Sequence, residues 1–221
     1  MFRVNEMPAQ LSPALIETLR GVETATIGHI LHGQFASGDI RAVLPDKRVA
    51  GAAVTLRLPG ADSTILHHAL SLVRPGDFLV IDRCGDRKHA CWGGVVTQVA
   101  KMAGVVGGVI DGPATDFTEI RDSEMPVWCT GPAPITTKIL GLEGAMNVPV
   151  SVGGCAVSPG DAVLADESGV LFMALDQCQG LADRALEMQA REPGLVERIR
   201  NGEKLGDISG ASEKVAAGLV G

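Results

Sequence analysis

The chain has 221 residues, 46% of them hydrophobic but only 3% aromatic, with 28 glycines and no tyrosine, so its core must be built from Val, Ile, Leu and Ala in a glycine-turned, β-rich α/β layout. A net charge of −7, with basic residues scattered and not interleaved with aromatics, excludes the broad basic face that nucleic-acid binding needs. Five cysteines (Cys84, Cys91, Cys129, Cys155, Cys178) without C-x-x-C spacing argue against a disulfide framework or a structural zinc site and suit reduced cytoplasmic thiols.

In chain order, Leu11 to Leu19 reads as a helix capped by Ser12, with Pro13 in its first turn. Met1 to Leu15 lacks the long apolar run of a secretory leader. A short helix is expected over Ala25 to Leu31 and a strand over Val49 to Leu58, closed by Pro59-Gly60. Asp62 or Ser63 can cap a helix through Ile65, Ala69 and Leu72. Pro75-Gly76-Asp77 turns the chain into a buried strand, Phe78 to Ile81, followed by the polar loop Asp82 to His89. A helix over Val95 to Met102 and a strand over Val105 to Ile110 come next. Short strand-like runs follow near Val127, at Ile135 to Leu140, Val148 to Val152, Ala162 to Ala165 and Val170 to Met173. Leu175 to Arg191 is an amphipathic helix that Pro193 should break, with a second helix to about Arg200. No stretch reaches the roughly 18 uninterrupted apolar residues of a membrane span. The pattern is mixed α/β, not a regular doubly wound sheet.

The segment Ala90 to Gly131 carries the chemistry. Gly93-Gly94 opens a helix at Val95, where bare backbone N–H groups can cradle an anion; the alternative is a plain turn. Asp116 follows the strand-end turn Asp111-Gly112-Pro113, where a carboxylate can hold a hard cation or cap the next helix. Gly104-Val-Val-Gly-Gly-Val precedes a strand and so is no dinucleotide fingerprint, and no Walker A motif is present. Of the histidines His29, His32, His67, His68 and His89, the adjacent pair His67-His68 points to different helix faces, so at most one meets a pocket.

Gly104 to Gly112, Val73-Arg74-Pro75-Gly76-Asp77, Met125-Pro126-Val127, Asn147 to Val150, Val157 to Asp161 and Ala165 to Val170 occur in an order that resembles the RraA-like proteins. The likeness runs from about residue 23 to 205, within one domain over 1–221 with helical extensions at both ends. That family includes divalent-metal aldolases that cleave 4-hydroxy-4-methyl-2-oxoglutarate or 4-carboxy-4-hydroxy-2-oxoadipate. The resemblance implies a swivelling β/β/α-type sandwich, a mixed sheet with flanking helices. It also implies homotrimers, or hexamers of paired trimers, with sites between subunits.

By the same resemblance, Asp116 would hold Mg²⁺ or Mn²⁺, and the backbone of Gly93, Gly94, Val95 and Val96 would bind a small carboxylate substrate. Glu192, with Glu197 as a near alternative, would reach a neighbouring subunit's site. Two departures stand out: Thr115 replaces the family's arginine, and Gly94 replaces an acidic residue. Arg83, Arg87 or Lys88 are candidates to restore the lost positive charge, and His29, His68 and His89 are candidate acid–base groups. The expected activity is a metal-dependent lyase, by aldol cleavage or oxaloacetate-type decarboxylation. The alternatives are a histidine-dependent reaction on another carboxylate and, less favoured, a non-catalytic regulator that binds a ribonuclease. A methyltransferase label carried by some relatives finds no S-adenosylmethionine motif here.

Overall fold

The computed structural model describes residues 1–219. From the N-terminus the elements are β1 (Phe2–Val4), α1 (Pro13–Arg20), α2 (Thr24–Gly28), β2 (Arg41–Ala42), β3 (Val49–Arg57), α3 (Thr64–Ala69), β4 (Asp77–Asp82) and α4 (Gly94–Met102). They continue with β5 (Gly107–Ile110), α5 (Phe117–Asp122), β6 (Val127–Cys129), β7 (Gly144–Met146), β8 (Val150–Val152), β9 (Cys155–Val157), β10 (Ala162–Asp166) and β11 (Gly169–Met173). Three helices close the chain: α6 (Leu175–Arg200), α7 (Leu205–Ile208) and α8 (Ala211–Gly218).

Strands β3, β4, β5 and β6 pair in parallel and form the spine of a mixed sheet ordered β1-β7-β3-β4-β5-β6-β2. β7, β10 and β2 add to it antiparallel, β11 pairs with β10, and β8 and β9 form a separate hairpin. Period-two alternation sorts the spine's side chains between two cores. Leu79, Ile81, Ile110, Val127 and Cys129 face α3, α4 and α5, while Phe78, Val80, Val109 and Trp128 face the β8–β9 side. There Phe78 and Trp128 pack with ring centroids 5.9 Å apart. A third core joins α1, α2 and α6 to β10 and β11 through Leu19, Ile27, Leu164, Leu171, Cys178 and Ala182. The expected mixed sheet with flanking helices is the fold the chain adopts. No described helix is long and apolar enough to cross a membrane.

Several local expectations need correction. Ser12 caps α1, accepting from the Leu15 amide at 3.2 Å, as its position foretold. Ile135 to Leu140, however, is not a strand. Its amides go to different neighbours, Thr137 to the Ala90 carbonyl and Lys138 to that of Ala61, so single bridges replace a ladder. Pro193 does not end α6, which runs unbroken to Arg200. The residues around it are exposed, so water can serve the Gln189 carbonyl that loses its helical donor. The strand before the Asp111 turn begins at Gly107 and not at Val105, and β1 and β7 at the sheet's far edge escaped the sequence reading.

Candidate active site

Ligands of open α/β sheets gather beyond the carboxyl ends of parallel strands, and the loops leaving β4, β5 and β6 converge there. The β4 loop ends at Trp92, which is fully buried. Trp92 Nε1 donates to Thr97 Oγ1 at 2.9 Å, and its ring lies so close to Gly108 that a β-carbon there would come within 2.9 Å of it. The Trp92 carbonyl in turn accepts from the Thr115 amide at 2.8 Å. This pairing brings Gly93 against Asp116. A β-carbon on Gly93 would stand 2.6 Å from Asp116 Oδ2, so glycine is the residue that lets the carboxylate in.

Asp116 occupies the position before α5 but does not cap it. Its backbone is left-handed (φ 54°), and no side-chain bond to α5 forms. The side chain turns instead to the start of α4: Gly94 N–H donates to Oδ2 at 2.9 Å, and Thr115 Oγ1 donates to Oδ1 at 3.2 Å. Beyond Gly94, the helix-start amides of Val95 and Val96 have no acceptor among the described residues, and the helix dipole leaves them attractive to an anion.

The cavity over this helix start, about 210 Å³, is bordered by a strap of irregular chain, residues 132–142, through Thr136 to Ile139. Ser63, His67, Thr136, Thr137, Lys138 and Ile139 line it opposite Gly93 to Val96, Thr115 and Asp116. Asp62, 1% exposed, holds the strap. Its carboxylate accepts from Leu140 N (3.1 Å), Leu142 N (2.7 Å), Thr64 N (2.9 Å) and Thr64 Oγ1 (2.5 Å). Burial pushes its pKa up, but these four donors outweigh burial and hold it well below the usual carboxylate range. Cys91, on the cavity wall, is an inert thiol, pushed up to about 11 by burial.

Of the residues singled out from sequence, Gly93, Gly94, Val95, Val96, Thr115 and Asp116 come together in this cavity, and the others do not join them. His29 is exposed at the end of α2, and the histidine of the adjacent pair that lines the cavity is His67, not His68. His89 Nδ1 bonds Asp86 Oδ2 at 2.8 Å. Glu192 lies on α6 in a different cleft, with Glu23, Gln189 and Arg200. Arg83 is buried, its guanidinium committed to the carbonyls of Leu58, Gly60 and His89; Arg87 pairs with Asp111 at 2.8 Å; Lys88 is exposed outside the cavity. The basic residue that lines the cavity is Lys138, which sequence reasoning placed in a strand. Its one signal was a single charge inside the apolar run Ile135-Thr-Thr-Lys-Ile-Leu.

Among the described residues no group of three or more His, Cys, Asp or Glu side chains could enclose a metal ion. A closed, all-protein site of the zinc kind therefore does not fit. A Mg²⁺-type site fits, because such ions need only one or two carboxylates and keep waters and substrate as other ligands. Asp116 is exposed, and each of its oxygens accepts only one bond, which leaves lone pairs for a cation.

Comparison with known proteins agrees with this architecture. The family described as RraA-like, Aldolase/RraA, matches residues 24–172. A Halalkalibacterium halodurans protein, provisionally named 4-hydroxy-4-methyl-2-oxoglutarate aldolase, is 31% identical over 176 residues, covering 79% of this chain and 83% of that protein. Streptomyces coelicolor RraAS2, described as an unusual member of the RNase ES inhibitor RraA protein family, superposes with a TM-score of 0.74 at 30% identity, over 86% of this chain and 97% of its own. The RNA-processing inhibitor RraA from Thermus thermophilis gives a TM-score of 0.62 at 27% identity, over 69% and 92%. With two thirds of its length inside the family match and the fold shared along the same span, this chain belongs to the RraA-like family.

Proposed function

We propose that the protein is a divalent-cation-dependent lyase that breaks a carbon–carbon bond in a small 2-oxo acid, by aldol cleavage or by decarboxylation of an oxaloacetate-type acid. The observation that carries this reading is the meeting of three features in one cavity: the Asp116 carboxylate, the open amides of Val95 and Val96, and Lys138. The names of relatives such as the Halalkalibacterium protein support it.

Asp116 would hold a Mg²⁺ or Mn²⁺ ion, which when bound would supply Lewis-acid stabilisation of developing negative charge. The chain's own groups do the rest. The α4 amides and the Lys138 ammonium bind the substrate carboxylate, so Lys138 supplies from the strap the positive charge that Thr115 lacks. In aldol cleavage the 4-hydroxyl loses its proton, the C3–C4 pair moves toward C2 and its carbonyl oxygen, and C3 is protonated afterwards. His67, the histidine on the cavity wall, is our assignment for the ring nitrogen that takes the hydroxyl proton. Glu119 packs beside the start of α4, its Cβ and Cγ 3.3 and 3.4 Å from where a Gly94 side chain would begin.

We also propose a homotrimer or hexamer. No described residue from 190 onward is buried, although most of this stretch is helical, which suits helices that pack on another copy and bring Glu192 toward its cavity. The test is pyruvate release from 4-hydroxy-2-oxo acids with Mg²⁺ or Mn²⁺, beside Mn²⁺ calorimetry of the wild type and of Asp116→Ala. Metal-dependent turnover with metal binding lost in the variant is the expected result. Equal metal affinity in a folded Asp116→Ala protein would refute the site, and loss of turnover in His29→Ala or His89→Ala but not His67→Ala would favour the other histidines. The inhibitor names of the Streptomyces and Thermus proteins support a second reading, ribonuclease binding, which capture of a purified ribonuclease by the metal-free protein would favour.

A further inference from the structure

We infer that the site selects 2-oxo acids whose far end is uncharged and apolar, and discriminates against a second carboxylate. This rests on the aldol-cleavage branch of the lyase reading above, which sets the 2-oxo acid end at Lys138 and the start of α4; a site of this kind would disfavour the oxaloacetate-type branch, whose substrate carries a second carboxylate. Thr115 and Asp116 border two recesses at once. The first is the cavity already described. The second, about 330 Å³, is walled by Phe117, Pro132, Ala133 and Pro134. A substrate anchored in the first recess and extending past Asp116 places its remaining atoms in the second.

No basic side chain lines that wall. The one charge bordering it is the Asp116 carboxylate. Two of the three strap residues are prolines, which have no N–H to donate, and the amide of the third, Ala133, already donates to the Ala114 carbonyl at 2.9 Å. The α5 start lies beside the recess, but a helix of six residues has a weak dipole. The arginines beyond Phe117 do not line the recess. Arg121 lies 5.7 Å over the Phe117 ring and donates to the Val43 carbonyl, Arg87 pairs with Asp111 at 2.8 Å, and Arg41 Nε donates to the Gly38 carbonyl at 3.3 Å.

A carboxylate in this recess would lose hydration without gaining a partner and would feel Asp116 as a like charge. An alkyl or aryl group would instead cover Phe117, Pro132 and Pro134. The substrate class that follows is a 4-hydroxy-2-oxo acid with an apolar substituent on C4. Its C3–C4 bond breaks to give pyruvate and an aldehyde or ketone whose carbonyl oxygen is the former hydroxyl oxygen. No further reactant is needed.

Two uncleavable acids of equal chain length, 4-methyl-2-oxopentanoate and 2-oxoglutarate, test this by calorimetry with Mg²⁺ present. The branched monoacid should bind about tenfold more tightly, as a hydrophobic pocket typically allows. Ala133→Arg, which puts a cation on the wall, should reverse that order. Equal or tighter wild-type binding of 2-oxoglutarate overturns the inference while leaving the lyase reading intact. If neither acid binds and no 4-hydroxy-2-oxo acid releases pyruvate, the lyase reading fails and the inference falls with it.

Discussion

Two carboxylates beside the cleft have opposite fates. Asp62 is buried and accepts four hydrogen bonds, two of them from strap amides. Asp116 is exposed, accepts one bond on each oxygen, and sits in a left-handed backbone that turns it away from its own helix. One has spent its lone pairs on holding the wall in place; the other keeps them for what enters. The same residue type is therefore spent on the scaffold or left with open lone pairs according to how many donors the fold brings to it.

The sharpest way to break this contrast is Asp116→Ala. Turnover should fall on the order of a thousandfold, about 4 kcal/mol, together with Mn²⁺ affinity, while the melting temperature barely moves. A coupled pyruvate assay and differential scanning calorimetry on one preparation would separate the two effects. Asp62→Ala should show the reverse emphasis, a loss of about 3 kcal/mol in stability because the part-buried amides of Thr64, Leu140 and Leu142 lose a charged acceptor, read as a lower urea midpoint. Its pH dependence follows from the lowered carboxyl pKa. The folded group titrates below its unfolded value of about 3.9, so its contribution is complete at neutral pH and drains away as pH falls below that value. Wild-type and Asp62→Ala stabilities should therefore converge toward acid pH; a gap that stays constant from pH 7 to pH 3 would show that its charge is not what holds the strap.

Smaller effects refine the comparison. Lys138→Ala should raise KM by a factor of about 30, near 2 kcal/mol, with stability unchanged, and Lys138→Arg should restore most of it. A fall in kcat at constant KM would assign the ammonium to the reacting centre instead. The smallest change expected is a gain. Thr115→Arg should raise cleavage of 4-hydroxy-4-methyl-2-oxoglutarate about tenfold, near 1.4 kcal/mol. Adding Gly94→Asp should contribute little, since the new β-carbon would meet Glu119 at 3.3 Å.

Much of the spine was legible in the sequence because its rule is local. Phe78 to Ile81 alternates between two cores, and Gly104 to Gly112 marks the strand and turn that lead to Asp116. The glycine pair at Gly93 was legible as a helix start, though not as the gap that admits Asp116. What failed was nonlocal. Asp62 reads as a helix cap, yet its partners Leu140 and Leu142 lie 78 and 80 residues away. Lys138 sits in a run with strand composition whose bonds scatter to Ala61 and Ala90. His67 and His68 differ by one helical step, and only packing decided which of them meets the cavity. Pro193 misled because its surroundings on α6 are exposed, where water can replace the lost bond and the helix has room to bend around the ring.

Both backbone groups of Lys138 are clamped: its N–H donates to Ala61 at 2.8 Å and its carbonyl accepts from Ser63 at 2.9 Å. The chain at this point is thus fixed by its main chain alone, whatever side chain it carries. Exchange of the residue at 138 is therefore expected to change the charge at the cavity with little effect on the fold, and under the proposed lyase activity it would alter substrate preference in single steps that are neutral to stability. In directed evolution this makes 138 the first position to randomise, ahead of Gly93, where a β-carbon would stand 2.6 Å from Asp116 Oδ2.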